Sequence, residues 1–168
     1  MGITIEAIGN IAIALSVIVA LVFGIAQVKA AERDRRERLT LETLRIFQTR
    51  EFAEQLSFIR DLEAPTDGDS LRAMPRDHQI LLIQTAQQME SLGMMVYERY
   101  IDLDLIDKTL GSFVATSWKK YEPMFLDMRT SIPDPFLGEY FQWLAERIDE
   151  RMRESPREPF YKQRIPKR

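Results

Sequence analysis

The residues with the greatest potential for chemistry are three aspartates close together, Asp102, Asp104 and Asp107. Carboxylates at this spacing can hold Mg²⁺, but magnesium sites usually add substrate phosphates and further ligands. The sequence offers no such additional motif. Asp104 is instead predicted to cap a helix, with Asp107 three residues further on, near the positive end of that helix dipole. We therefore expect a structural role for these carboxylates.

Other reactive residues are few, because the chain has one histidine and no cysteine. The lack of cysteine excludes disulfides, thiolate zinc sites and cysteine nucleophiles. A lone histidine makes a poor metal site, so His78 is expected at the surface or as a cap. An enzyme with Glu90 or Asp102 as general base would need a perturbed carboxylate with partners in a cleft. The sequence shows neither, and it predicts no enzyme activity, no cofactor and no metal.

The first helical element predicted from the sequence is a long apolar run near the N-terminus. Residues 7–28 carry no charge, and as a helix they would extend about 33 Å, enough to span a bilayer core of about 30 Å. A buried core helix and a cleaved signal peptide are the alternatives. The residues before the run carry no positive charge, which argues against a signal peptide, and Glu6 stands where myristoylation requires Ser or Thr. Residues 1–28 are therefore predicted to be a transmembrane anchor.

A basic segment, residues 29–38, follows the anchor at once and is predicted to continue as a helix. Positive residues flank membrane helices mainly on the cytoplasmic side. We therefore expect a single-pass protein in a bacterial inner membrane, with the N-terminus outside and the domain that follows in the cytoplasm. The side chains expected to contact lipid headgroups or a partner are Lys29, Arg33, Arg35 and Arg36.

Small residues recur at every fourth position within the anchor, at Ala12, Ser16, Ala20 and Gly24. On a helix this spacing forms one stripe, along which another membrane helix can approach closely. Ala and Ser are also common in apolar helices, so a chance arrangement is the alternative. The expected partners are the lipid bilayer and either other membrane subunits or a second copy of this chain.

Residues 39–154 are predicted to form an all-α domain of about four helices, because apolar residues recur at helical spacing and strand-like alternation is missing. The first helix should run from Leu39 to near Glu63, where Pro65 disfavours helical geometry. Residues 64–76 are predicted to be a loop.

Asp77 is then the predicted N-cap of the second helix, whose apolar face extends to Tyr100. Pro123 should kink or break the third helix near Tyr121. Asp134-Pro135 should begin the last helix.

Charge is distributed unevenly along the chain, which has a net charge of −3. The predicted domain is acidic, and the tail, residues 155–168, is basic and proline-rich. An acidic domain argues against nucleic-acid binding. The tail should be extended or disordered. Within it, Phe160 and Tyr161 could dock on a partner or on the headgroup layer, and a merely solvated tail is the alternative.

A spaced set of residues between about 42 and 148 resembles the DUF4760 family of small bacterial membrane-anchored helical proteins. Gln142 departs from the family pattern, in which an acidic residue is expected. The resemblance implies a helical fold and membrane placement, and it transfers no catalytic residue, because the family has no established activity. It is carried by Arg50–Phe58 with Ile59, Met89–Gly93, Asp102–Leu105, Trp118 with Arg129, and Tyr140–Leu144.

The function expected from these features is that of a non-enzymatic accessory subunit or scaffold in a membrane protein assembly. The alternative is a membrane-anchored sensor or effector of a stress or phage-defence response. A pocket lined by Glu90, Arg129 and Tyr140 would favour the alternative, and a fully packed domain would count against it.

Overall fold

The computed structural model describes residues 4–132 and 134–162, which form six α-helices and one 3-10 turn and contain no β-strand. The predicted all-α class is confirmed. Five helices follow the apolar helix, against about four predicted. The elements are α1 Ile5–Ile46, α2 Arg50–Asp61, α3 Gly68–Ala73, α4 Arg76–Tyr97, α5 Leu103–Ser131, α6 Glu139–Glu154 and the 3-10 turn Phe160–Lys162.

The chain divides into two compact units, Met1–Glu42 and Thr43–Arg168. The first unit is almost entirely helix α1, which passes without interruption from the apolar run through the basic segment. The continuous helix predicted across residues 29–38 is therefore observed. Residues Gly9–Ile46 include a window of mean hydropathy 2.7, none of it buried. This helix is long and apolar enough to cross a membrane.

The second unit, here called the helical domain, begins with a turn that the periodicity of the sequence does not predict. Helix α1 ends at Ile46 and α2 begins at Arg50, whereas one helix from Leu39 to near Glu63 was predicted. Thr49 has an extended backbone, and its hydroxyl accepts a hydrogen bond from the Phe52 amide at 3.2 Å. Such an N-cap starts a new helix. The predicted end was correct, since α2 closes at Asp61.

The predicted loop at residues 64–76 contains the short helix α3. Asp67 and Ser70 form a reciprocal capping box, in which each side chain bonds the other residue's backbone amide. This pairing satisfies two amide donors that a helix start otherwise leaves open. Helix α4 then begins with Pro75 as the N-cap residue, so the prediction of Asp77 was wrong.

Helix α4 ends earlier than its apolar pattern suggested. Its last residue is Tyr97, and Arg99 has a left-handed backbone with φ of 61°. The chain turns away there, which leaves Tyr100 54% exposed and places Ile101 in the core instead. The prediction of a core position for Tyr100 was therefore wrong.

Helix α5 continues through Pro123 to Ser131, so the predicted break near Tyr121 does not occur. Pro123 removes the hydrogen bond to the carbonyl of Lys119, and both residues lie on the exposed face, where water can satisfy that carbonyl. Helix α6 begins at Glu139 rather than at Asp134-Pro135. The Asp134 carboxylate instead accepts the Phe136 amide at 3.0 Å within a turn.

The core of the helical domain lies where α4 and α5 pack against α6. An aromatic cluster joins α5 to α6, with the Trp118 and Phe141 ring centroids 5.2 Å apart and those of Trp118 and Phe125 5.6 Å apart. Burying large aromatic and aliphatic side chains supplies most of the stabilisation of such a domain. The fully buried core side chains include Leu82, Met89, Leu92, Ile106, Val114, Phe141, Leu144 and Ile148.

Gly93 allows α4 and α6 to approach closely. A Cβ atom at this position would lie 2.2 Å from the backbone oxygen of Tyr140. Because the obstructing atom belongs to the helix backbone, a side-chain rotation could not relieve the clash. The spacing of α4 and α6 therefore depends on a residue without a side chain.

Gly93→Ala should lower the free energy of unfolding of the helical domain by about 1–3 kcal/mol, the usual range for overpacking a core. Both tryptophans, Trp118 and Trp143, lie in this domain, so their fluorescence during denaturation of the detergent-solubilised full chain reports its unfolding. Gly24→Ala is the control, because a Cβ at Gly24 meets nothing within 4 Å. Equal unfolding midpoints for both variants would contradict the proposed role of Gly93.

Candidate functional site

Glu90 of α4 caps the start of α6. Its Oε2 accepts a hydrogen bond from the Phe141 amide at 2.8 Å, and its Oε1 accepts one from the Tyr140 amide at 3.3 Å. The N-cap residue of α6 is Gly138, which has no side chain to offer. A carboxylate at a helix N-terminus satisfies free amide donors and interacts favourably with the helix dipole. Glu90 thus supplies from another helix the cap that α6 lacks.

Lys120 of α5 makes the opposite contact at the end of α2. Its ammonium group donates to the carbonyl oxygens of Ile59 at 2.8 Å, Arg60 at 2.6 Å and Leu62 at 3.1 Å. The last carbonyls of a helix have no partner within it, and a cation there opposes the negative end of the dipole. Lys120 therefore closes α2 and holds it against α5.

The short helix α3 is held in the same way at both ends. The Asp127 carboxylate of α5 accepts the Gly68 amide at 3.1 Å, and the Gln79 amide of α4 donates to the Met74 carbonyl at 2.8 Å. Polar side chains from the long helices α4 and α5 thus bind the backbone ends of α2, α3 and α6. The potential general base Glu90 belongs to this group of structural contacts.

The aspartate cluster is organised around the start of α5. Asp102, not the predicted Asp104, is the N-cap, and its carboxylate accepts the Asp104 amide at 2.7 Å. Asp104 lies in the first turn and pairs with Lys108 and with Arg151, the latter at 2.9 Å. Asp107 is buried, 3.6 Å from the Arg151 guanidinium. Within the described ranges, no group of three or more His, Cys, Asp or Glu side chains could hold a metal ion.

His78 makes a packing contact with an aromatic ring. It lies in the first turn of α4, as predicted, and its ring is half-buried, with its centroid 4.8 Å from that of Phe58. This contact joins α4 to α2.

Two grooves in the described part of the helical domain have the size of a ligand site: one of about 480 Å³ lies between α2 and α5, and the other is larger. The larger groove measures about 650 Å³ and lies between α3, α4, α5 and the turn before α6; we call it the α4–α5 groove. Ligand sites usually fall between about 300 and 1,000 Å³. Its lining residues are Leu71, Leu82, Ile83, Ala86, Gln87, Glu90, Ser91, Met124, Phe125, Met128, Leu137 and Gly138.

The pocket hypothesised from the sequence is present only in part, because Glu90 lines the groove while Arg129 and Tyr140 do not belong to its lining. Arg129 binds the Leu137 carbonyl at 2.8 Å and the Gln142 side-chain oxygen at 2.7 Å. It therefore fixes the turn before α6. Partial burial and the nearby charge of Glu139 raise the pKa of Tyr140 above its ordinary value.

The predicted stripe of small residues on α1 is accessible within the first unit. Ala12, Ser16 and Ala20 are exposed, and the Ser16 hydroxyl donates to the Ala12 carbonyl at 2.8 Å rather than outwards. A shallow groove passes over Ala20 and Gly24. Ala20 and Gly24 thus leave a shallow groove on an apolar helix, a surface suited to another helix.

The other predicted contact residues are also accessible where their side chains are described. Lys29, Arg33, Arg35 and Arg36 are exposed on α1. Tyr161 is 84% exposed in the 3-10 turn. The side chain of Phe160 lies outside the described part of the structure, as do residue 133 and residues 163–168 of the predicted tail.

The arrangement of helices and caps can be compared with known proteins. A family described as a domain of unknown function, DUF4760, matches residues 11–148. The chain belongs to this family. The DUF4760 match starts earlier than the resemblance read from residues 42–148, so it includes most of the apolar part of α1. No curated protein and no solved structure matches the chain.

Sequence reasoning missed Lys120 and Asp127 as functional parts of the fold. Both lie in α5, and each reaches a helix end about sixty residues earlier in the chain. Hydrophobic periodicity carries no signal for such contacts, because they depend on tertiary placement. In the sequence, Glu90 is a potential base, and nothing local indicates that it caps a helix.

Glu90→Ala should destabilise the helical domain by about 1–3 kcal/mol, since it removes two hydrogen bonds to a charged acceptor and leaves amide donors unpaired. Glu90→Gln should cost less, because one amide oxygen can still accept. Tryptophan fluorescence during denaturation measures both. Glu98→Gln, at the exposed C-cap of the same helix, is the matched control for lost charge. If the Glu98 and Glu90 variants unfold alike, the capping role is wrong.

Asp104 should contribute to acid sensitivity. The Lys108 hydrogen bond, together with Arg151, holds the pKa of Asp104 below its ordinary value. A carboxyl with a lowered folded-state pKa stabilises the fold above its unfolded pKa, and this stability is lost as pH falls through the folded value. Asp104→Asn should therefore reduce the decline in thermal midpoint between about pH 5 and about pH 3. Lys108→Met should reduce the same decline, and additive effects of the two changes would contradict the pairing.

Proposed function

We propose that this DUF4760 protein is a non-enzymatic, single-pass membrane protein that acts as an accessory subunit or scaffold in a membrane assembly. The observation that carries the proposal is the surface of α1. Its large apolar side chains, such as Ile13, Leu21 and Phe23, are 61–65% exposed, and its apolar window contains no buried residue. Such a surface is stable only in lipid or against another apolar surface.

The distribution of charge supports the topology. Lys29, Arg33, Arg35 and Arg36 follow the apolar segment directly, and positive residues of this kind favour the cytoplasmic side. We infer that the helical domain lies in the cytoplasm beneath a bacterial inner membrane, with the N-terminus outside. The basic side chains would then lie at the level of anionic headgroups.

The non-enzymatic part of the proposal is supported by how the carboxylates are used. Glu90 and Asp102, the two residues considered as general bases, both accept hydrogen bonds from helix amides. Each of these two carboxylates therefore has a structural role at a helix start.

A ligand-responsive sensor or effector, for instance in stress or phage defence, is the second candidate. The α4–α5 groove favours it, because the groove is large enough for a small molecule and Glu90 connects it to the start of α6. A ligand at this place could bias a structural contact rather than a reaction. Extraction in mild detergent with identification of co-purifying chains separates the candidates, since a defined complex supports the subunit and a lone monomer supports the sensor.

Replacing Ser16 and Ala20 together with Leu should weaken association of the protein with its membrane partner or with itself, because larger side chains prevent another helix from approaching the stripe closely. The measurement is the size of the native complex extracted in mild detergent. A loss of roughly tenfold or more in association constant corresponds to about 1.4 kcal/mol of lost packing.

Ala14→Leu is the matched control, because this residue lies on the opposite side of α1 from the stripe. It should leave the complex unchanged. An unchanged complex in the double variant, or equal losses in both proteins, would show that the stripe does not form the interface.

A further inference from the structure

The α4–α5 groove has two chemically different ends along α4. Apolar residues line one end, and polar residues line the other, next to the start of α6. Leu82 and Ser91 mark the ends and are nine residues apart, so the groove extends for about 14 Å along the helix. The apolar end carries Leu82, Ile83 and Ala86, and the polar end carries Gln87, Glu90 and Ser91.

The opposite wall of the groove is adaptable. Met124 and Met128 of α5 contribute to it. Methionine has a flexible, polarisable side chain that adjusts to ligands of varied shape. An extended aliphatic chain fits such a wall better than a rigid polar molecule would.

The polar end carries one charge. Among the described residues that line the groove, Glu90 is the only ionisable one. A carboxylate offers about four acceptor positions, and the Tyr140 and Phe141 amides use one on each oxygen. The remaining positions can accept hydrogen bonds from a ligand.

We propose that the α4–α5 groove binds a single-chain amphiphile whose head carries a protonated amine. The aliphatic chain lies along Leu82 and Ala86 against the methionine wall. The ammonium head donates to the Glu90 carboxylate, with Gln87 and Ser91 as further polar partners. A carboxylate or phosphate head would meet the like charge of Glu90 and bind less tightly.

The ligand would reinforce an existing contact. Glu90 holds the first amides of α6, and a cation on its outer side would counterbalance its charge without removing those hydrogen bonds. Because the ammonium binds only the folded arrangement, occupancy should also raise the stability of the helical domain. This effect does not depend on what α1 associates with.

The experiment uses the full chain in nanodiscs of zwitterionic lipid, with isotope-labelled methionine methyl groups observed by NMR. Octylamine, octanol and octanoate are titrated separately. Octylamine should shift the Met124 and Met128 signals saturably and bind roughly fivefold more tightly than octanol, the size expected for a half-exposed ion pair. Octanoate should bind more weakly than octanol. Met152, 39% exposed near the far end of α6, reports non-specific partition.

Two substitutions test the site itself. Glu90→Gln should abolish the preference for octylamine over octanol while octanol still binds. Ala86→Leu should block all three probes by filling the groove, whereas Ala53→Leu, the same change at an exposed position of α2, should leave binding unaltered.

The proposal is overturned if octanoate binds as tightly as octylamine, if the shifts do not saturate or are shared by Met152, or if Ala86→Leu binds like Ala53→Leu. Tryptophan fluorescence checks the folding of each variant. Should Glu90→Gln fail to fold, the ranking of the three probes on the unaltered protein and the Ala86→Leu result still decide the matter.

Discussion

The contact between Glu90 and the first amides of α6 is the interaction on which the rest of the helical domain depends. The N-cap residue of α6 is a glycine with a left-handed backbone, so α6 has no local cap. Glu90 supplies that cap. One turn further along α4, Gly93 has no side chain, so the backbone of α6 at Tyr140 can approach α4 closely. Position and angle of α6 are thereby defined together, and its buried face, from Phe141 to Ile148, then completes the core.

The same principle accounts for the other short helices. A helix of six or twelve residues is marginal in water, because nucleation costs more than a few hydrogen bonds return. In this domain Lys120 closes α2, while Asp127 and Gln79 close α3, and each reaches across from a long helix. Each contact satisfies backbone groups and joins two elements at once. Charges that look suited to catalysis are therefore used to hold helix ends.

The sequence was sufficient for the class of fold and for the long helix α1, because a run of uncharged residues and helical periodicity are local signals. It was insufficient where local signals are silent or ambiguous. The break at Thr49 preserves the apolar spacing on both sides, so periodicity could not reveal it. Asp134-Pro135 resembles a helix start, yet the Asp134 side chain bonds the Phe136 amide and α6 begins at Glu139. Among site residues, the caps from α5 could not be predicted, since they link positions about sixty residues apart.

The late start of α6 also shapes one side of the α4–α5 groove. The residues after Asp134 do not continue as a helix, since α6 begins only at Glu139. Instead the turn ends at Gly138, whose missing side chain brings the backbone against the Phe125 ring, since a Cβ there would lie 2.7 Å from that ring. Leu137 and Gly138 then form one side of the groove and Glu90 forms the other. Glu90 therefore both caps α6 and lines the groove, so a ligand that binds Glu90 in the proposed way would act on the contact that places α6.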